Sequence, residues 1–213
     1  MKKTLKIILT GIIITITVWG SFYTENLAQR RKNLMIKQYN PEQIVEMMFR
    51  DSLNQLSKRA IPLGTLREGI ASDHNLFAQN HARTFGIGGP NYYVVSVDLR
   101  DVLYKNHRLK STIDGVEIIV PLKHIFGNTA REASGWFDID EFKNSMEFNA
   151  VSAAMNQYIL ANSLSSLPTF YEGENLNYLF HLVGAVSIEP HKSEIHALTI
   201  IPYILECVPM DQQ

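Results

Sequence analysis

Residues 136–163 read WFDIDEFKNSMEFNAVSAAMNQYILANS, and the way this stretch is read decides the fold. Phe148, Val151, Met155, Tyr158 and Ile159 recur at helical spacing, which predicts a long helix over about 140–163. Asp138, Asp140 and Glu141 crowd its start. Paired carboxylates serve acid–base chemistry and cation binding. They also complement the positive end of a helix dipole, and Asp138-x-x-Glu141 has capping-box spacing. Capping is the favoured reading, because FDIDEF has the alternating carboxylates of a calcium loop but no internal glycine. At 100° per residue, Phe142, Met146 and Ala153 fall opposite Val151 and Met155, with Asn149 and Asn156 beside them. A helix apolar on two sides is expected to pack on two sides. The second side is expected to lie under a helical cluster formed by residues 40–83.

Strands flank this helix. Tyr92–Leu99 (YYVVSVDL) and Gly115–Leu122 (GVEIIVPL) precede it; Leu176–Ile188 and Ala197–Cys207 follow. Pro202 marks an edge or a bulge. Strands, one helix, then strands is the order of a small Greek-key barrel such as the OB-fold. The fold class is therefore α+β: an N-terminal membrane anchor helix, a small helical domain, then an OB-like small β-barrel with one long inserted helix. The expected organisation is a signal or anchor segment over 1–29, a stem and helical domain over 30–85, and the barrel domain over 86–213. GIGGP, 86–90, reads as a hinge; it lacks the Lys-Ser/Thr of a phosphate loop.

Within 40–83, Asn40 is a helix N-cap with Pro41 at the first helical position and Glu42 behind it. Thr65-x-x-Glu68 suggests a second helix start, and Ser72 before Asp73 a third. A cluster this small should pack on something else.

The N-terminus speaks to location. Lys2, Lys3 and Lys6 precede an apolar run from residue 7 to 23, the arrangement of an export signal. The run is about as long as the shortest membrane spans, and Trp19, Phe22 and Tyr23 suit an interfacial belt. No Ala-x-Ala site follows, so an uncleaved anchor is expected, with the folded part on the extracytoplasmic side. The single cysteine, Cys207, excludes an internal disulfide, and no cysteine stands behind the apolar run to carry a lipid. With 20 Lys and Arg against 21 Asp and Glu, the overall charge does not call for nucleic acid.

The stretch VEIIVPLKHIFGNTAREASGWFDIDEFKNSMEFNAVSAAMN resembles domain of unknown function 2291, a bacterial family of predicted periplasmic lipoproteins. Pro121, Gly127, Ala130 and Arg131 stand at positions of the family pattern, followed by Phe137, Phe142, Asn144, Val151 and Asn156. GGPNYYVVSVDL and the closing strands are similar as well, so the likeness covers most of 40–207. It implies a small helical domain plus an OB-like barrel. It further implies association with sugar-transport components, since family members are often encoded beside them. The missing lipobox cysteine sets this chain apart and calls for a peptide anchor instead.

Candidate ligand or partner contacts are Asn128, Arg131, Trp136, Asn149 and Asn156. Arg131 leads, because its guanidinium makes paired hydrogen bonds to anions or sugar hydroxyls; a salt bridge to Asp138 or Asp140 is the plainer expectation. EPHKSEIH, 189–196, could bind metal but reads as a solvated hairpin loop. No nucleophile–base signature appears. The expectation is a non-enzymatic accessory or binding module with no cofactor, no metal and no catalytic residue. A hydrolase built on Asp138, Asp140 and Glu141 is one alternative, and an OB-type oligosaccharide binder another. Oligomeric state is left open.

Overall fold

The computed structural model describes residues 40–84, 88–125, 127–190 and 192–210. The apolar run at 7–23 lies outside them. Helix α1 (Pro41–Arg59) begins as its sequence predicts: Asn40 Oδ1 accepts the Gln43 N–H at 3.1 Å, and Pro41 follows the cap. It ends before β1 (Ile61–Pro62), where the proline forces extended backbone. Helix α2 (Leu63–His81) starts two residues ahead of the expected Thr65 box, with no side-chain cap. Asp73 (φ −155°, ψ 95°) breaks it, and Asp73 Oδ1 caps the second half through the Leu76 N–H at 3.0 Å. The third start is thus Asp73 rather than Ser72.

Then come β2 (Arg83–Thr84), β3 (Asn91–Leu99), β4 (Val102–Lys105), β5 (Arg108–Ile113) and β6 (Val116–Pro121). Helices α3 (Thr129–Ser134) and α4 (Ser145–Leu164) follow, then β7 (Asn175–Leu176), β8 (Tyr178–Ile188), β9 (Ala197–Thr199) and β10 (Ile201–Pro209). One sheet runs β1-β3-β8-β10, with β2 also on β3; the other runs β7-β4-β5-β6-β9. The chain passes between the sheets four times: from β3 into β4 at Arg100–Asp101 (Asp101 φ 50°), from β7 into β8 at Asn177, from β8 into β9 over 189–196, and from β9 into β10 at Ile200. The parallel β6–β9 pairing and the antiparallel β8–β10 pairing complete a Greek-key order. The expected closed barrel is not formed: there are two five-stranded sheets joined by these crossings. Nor is 189–196 a hairpin loop, because it carries the chain from β8 in one sheet to β9 in the other.

Side-chain alternation divides β3 between two cores. Tyr93, Val95 and Leu99 point between the sheets, against Ile118, Val120, Phe180, Leu182 and Leu205, with Leu66 and Ile70 of α2. Val94 points outward, with Ala185 and Tyr203, under Val45 and Phe49 of α1 and Val151, Met155 and Ile159 of α4. Burial of both faces is why these strands read as continuous apolar runs. It also shows what residues 41–81 pack on: α2 closes the inner core and α1 lies over the outer one. The proline in β10 falls where predicted, on an edge strand with a register shift between Pro202 and Ile204.

Two expectations about the central helix are corrected. It starts at Ser145, not near 140, because Phe142 is extended (φ −112°, ψ 158°). Asn144 Oδ1 caps it through the Glu147 N–H at 3.0 Å, while the Asp138–Glu141 box closes a separate 3-10 turn at Ile139–Glu141. The expected sandwich does not form either. Met146 is 79% exposed and Ala153 is exposed. Helix α1 lies beside α4 in the same layer, with the Phe49 ring 5.1 Å from Tyr158, so among the described residues the far side of α4 is uncovered.

Candidate functional site

Four of the five sequence-predicted residues, Asn128, Arg131, Trp136 and Asn156, lie in or beside α3, and two of these, Arg131 and Trp136, are buried. The helix ends at Gly135, whose left-handed backbone (φ 64°) suits a residue without a Cβ. Arg59 Nη2 satisfies its last carbonyls, donating to Ala133 O and Ser134 O at 2.7 Å each. The Tyr203 hydroxyl donates to Ala130 O. Burial pushes the Tyr203 phenol up and the Arg59 guanidinium down, each disfavouring the charged form.

Arg131 is only 7% exposed. It pairs with neighbouring Glu132, not with Asp138 or Asp140, and lies 4.6 Å from the Phe148 ring centroid. Asp138 is taken by Arg83, whose Nη2 donates to both carboxylate oxygens at 3.0 Å. Trp136 is buried between Phe49 and Tyr203, with centroids 5.5 and 5.7 Å away. Arg131 Nε, Glu132 Oε2 and Trp136 Nε1 have no hydrogen-bond partner among the described residues. Asn156 Nδ2 donates to Gly127 O at 3.2 Å and fastens the loop before α3. Asn128 and Asn149 are exposed. The five candidates therefore do not converge on one surface. Arg131 and Trp136 are core, Asn156 is a tether, and Asn128 and Asn149 are isolated on the outside.

Two of the three carboxylates are similarly occupied. Asp138 holds Arg83, Glu141 Oε1 accepts the Asp138 N–H at 3.0 Å, and Asp140 is exposed. Among the described residues no cluster of His, Cys, Asp and Glu is placed to hold a metal; in the 189–196 loop, His196 Nε2 meets Glu194 Oε2 at 3.3 Å, and His191 lies outside the described residues.

The groove with the most distinct chemistry was not anticipated. It encloses about 300 Å³ at the β4–β5 turn and the end of β6. Asn106, His107, Arg108, Lys123, His124 and Thr199 supply its polar lining, over an apolar floor of Ile119, Pro121 and Ile201. The turn is built: Asn106 and His107 both have φ 55°, the paired left-handed geometry of a tight hairpin. Glu172 Oε1 accepts the Asn106 N–H at 2.7 Å, His107 O accepts the Leu122 N–H at 2.9 Å, and the Tyr104 hydroxyl meets His107 Nδ1 at 3.1 Å. The available signal was KNHRLK at 105–110 with Lys123 and His124, two short basic pieces that only the β5–β6 pairing joins. Two other grooves, of about 480 and 420 Å³, share Ser193–His196 and carry charges of both signs.

A family model described as predicted periplasmic lipoprotein (DUF2291) matches residues 12–206. The chain belongs to this family. Among curated proteins, none matches. A crystal structure of an OB-fold protein from Thermotoga maritima, determined at 1.90 Å, is similar in fold, with a TM-score of 0.66 at 16% identity over 81% of this chain and 100% of that one. Membership of the predicted periplasmic lipoprotein family points to an extracytoplasmic, membrane-associated protein. Among the described residues no helix is long and apolar enough to cross a membrane, and Cys207 lies in β10, where burial raises its thiol.

Proposed function

We propose that this family member is a non-enzymatic module, tethered at the extracytoplasmic face of the membrane by residues 7–23, that serves solute uptake and foremost the uptake of sugars. The supporting observation is the groove at the β4–β5 turn. It lies on β5 and β6 and the turn before them, the part of an OB topology on which oligosaccharides and oligonucleotides dock. Its turn is fixed by three hydrogen bonds, as recognition without a large rearrangement requires. Export and the balanced overall charge favour a sugar over a nucleic acid. The hydrolase alternative is weakened, since Asp138 and Glu141, two of its three carboxylates, are held in structural bonds.

Deletion of the gene in its host tests this reading. Uptake of at least one sugar or sugar derivative should fall and return with the intact chain, and a C-terminal reporter active only after export should score positive. Unchanged uptake across a broad panel of sugars would remove the transport role; activity of a cytoplasm-only reporter would remove the location.

A further inference from the structure

The groove at the β4–β5 turn carries one sign of charge. Arg108 and Lys123 contribute two permanent cations, His107 and His124 add imidazoles, and among the described residues no carboxylate lines it. This occurs in a chain of net charge −1, so the cationic character is local. Glu172 is held at the turn itself, where its Oε1 accepts the Asn106 N–H at 2.7 Å; further along β6, Glu117 pairs with Lys110 at 3.4 Å. Among the described residues neither Arg108 nor Lys123 makes an ion pair. Two like charges held on adjacent strand ends repel each other, and a concave wall of one sign concentrates counter-ions. Such a pair is stabilised by an anion between them.

We infer that this groove binds a phosphate monoester group, with Arg108 and Lys123 as its cationic clamp. A dianion matches the number of donors better than a single carboxylate does. The Arg108 guanidinium offers paired hydrogen bonds to two phosphate oxygens, and Lys123 a point charge. Asn106 and Thr199 supply uncharged hydrogen-bonding groups beside the clamp, and Ile119, Pro121 and Ile201 supply an apolar floor. That combination suits a hydroxylated carbon skeleton esterified to phosphate. At about 300 Å³ the groove is at the small end of ligand sites, the size of one sugar ring rather than a chain of them. The inference rests on the solute-binding reading and narrows it to sugar phosphates. Phosphate presented by an anionic lipid headgroup has the same chemistry.

The test uses the full chain in phosphatidylcholine nanodiscs, titrated calorimetrically with glucose 6-phosphate, inorganic phosphate and glucose. Glucose 6-phosphate should bind saturably and more tightly than glucose. Arg108→Gln and Lys123→Gln should each weaken it by about tenfold, the loss of one charge-assisted hydrogen bond. Both side chains are exposed, so both variants should melt like the wild type. Adding phosphatidylglycerol to the nanodiscs separates the sources. Unchanged affinity assigns the site to a free solute, and competition assigns it to a lipid headgroup; either supports the phosphate clamp. Binding that is equal in the double variant, or phosphate esters that fail to bind in either lipid, would overturn it. Glucose binding without phosphate binding overturns the clamp and leaves the solute reading standing. Failure of all three probes together with unchanged sugar uptake removes both.

Discussion

Arg83 Nη2 donates to both carboxylate oxygens of Asp138, at 3.0 Å each, linking the short strand β2 to the turn ahead of α4. To get there the guanidinium passes over Gly135, where a Cβ would come within 1.7 Å of Arg83 Nη1. The glycine is needed twice, for its left-handed backbone and for the space above it. Because the ion pair is partly exposed, Arg83→Gln should cost roughly 0.2–1 kcal/mol. Gly135→Ala should cost more, roughly 1–2 kcal/mol from backbone strain alone, plus part of the ion pair. In the Arg83→Gln background the alanine penalty should shrink by that part. Denaturant unfolding of the four chains measures this; a penalty that is the same in both backgrounds would show that Arg83 does not depend on the open space at Gly135.

That pairing also marks the boundary of what the sequence discloses. Signals contained within one turn of chain read correctly: Asn40 caps α1, and Pro202 sits at a bulge on an edge. The continuous apolar strands and their order around the central helix are likewise local patterns, enough to place the Greek-key topology. Choosing among nearby caps is not local. Asp138, Asp140 and Asn144 are all good caps, and what selects Asn144 is the aromatic packing of Phe142 on Phe137 and Phe148, at 5.5 and 5.8 Å, which holds Phe142 extended. Nor is partner choice local: Arg131 faces Glu132 while Arg83, distant in sequence, takes Asp138. The cationic groove is the furthest from view. Its donors come from 106–108, 123–124 and 199, and no spacing rule joins them until β5, β6 and β9 are paired.

Glu132 predicts a pH dependence. It is 5% exposed, and burial holds its carboxyl above the ordinary glutamate range; Asp138 pushes the same way, and Arg131 and Arg83 oppose it. Tyr92, the remaining ionisable group coupled to it, has its phenol raised mainly by its own burial and further by Glu132. The folded chain therefore keeps the Glu132 proton to higher pH than the unfolded chain. Its contribution to stability is complete below the unfolded value, about 4.3, and is lost as pH rises through the raised folded value. The stability of the wild type minus that of Glu132→Gln should fall with rising pH in that window, by at most about 1.4 kcal/mol per pH unit. Urea unfolding across pH 4–8 gives the difference, in which the surface carboxylates cancel. A difference that rises with pH would mean that Arg131 outweighs burial.

The two faces of α4 separate by substitution. Met155 is fully buried against the outer face of β3, β8 and β10, in the cluster that holds Val151, Ile159 and Tyr203. Met146, two and a half turns earlier, is 79% exposed and has solvent around it among the described residues. Met155→Ala should leave a cavity and cost about 2–5 kcal/mol. Met146→Asp places a charge where water can reach it, next to the helix N-terminus where a carboxylate is favoured, and should stay within about 0.5 kcal/mol of the wild type. Thermal melting of the full chain in detergent, followed by near-ultraviolet circular dichroism, compares the two. If Met146→Asp proves as damaging as Met155→Ala, a part of the chain outside residues 40–210 covers this face, and α4 is packed on both sides after all.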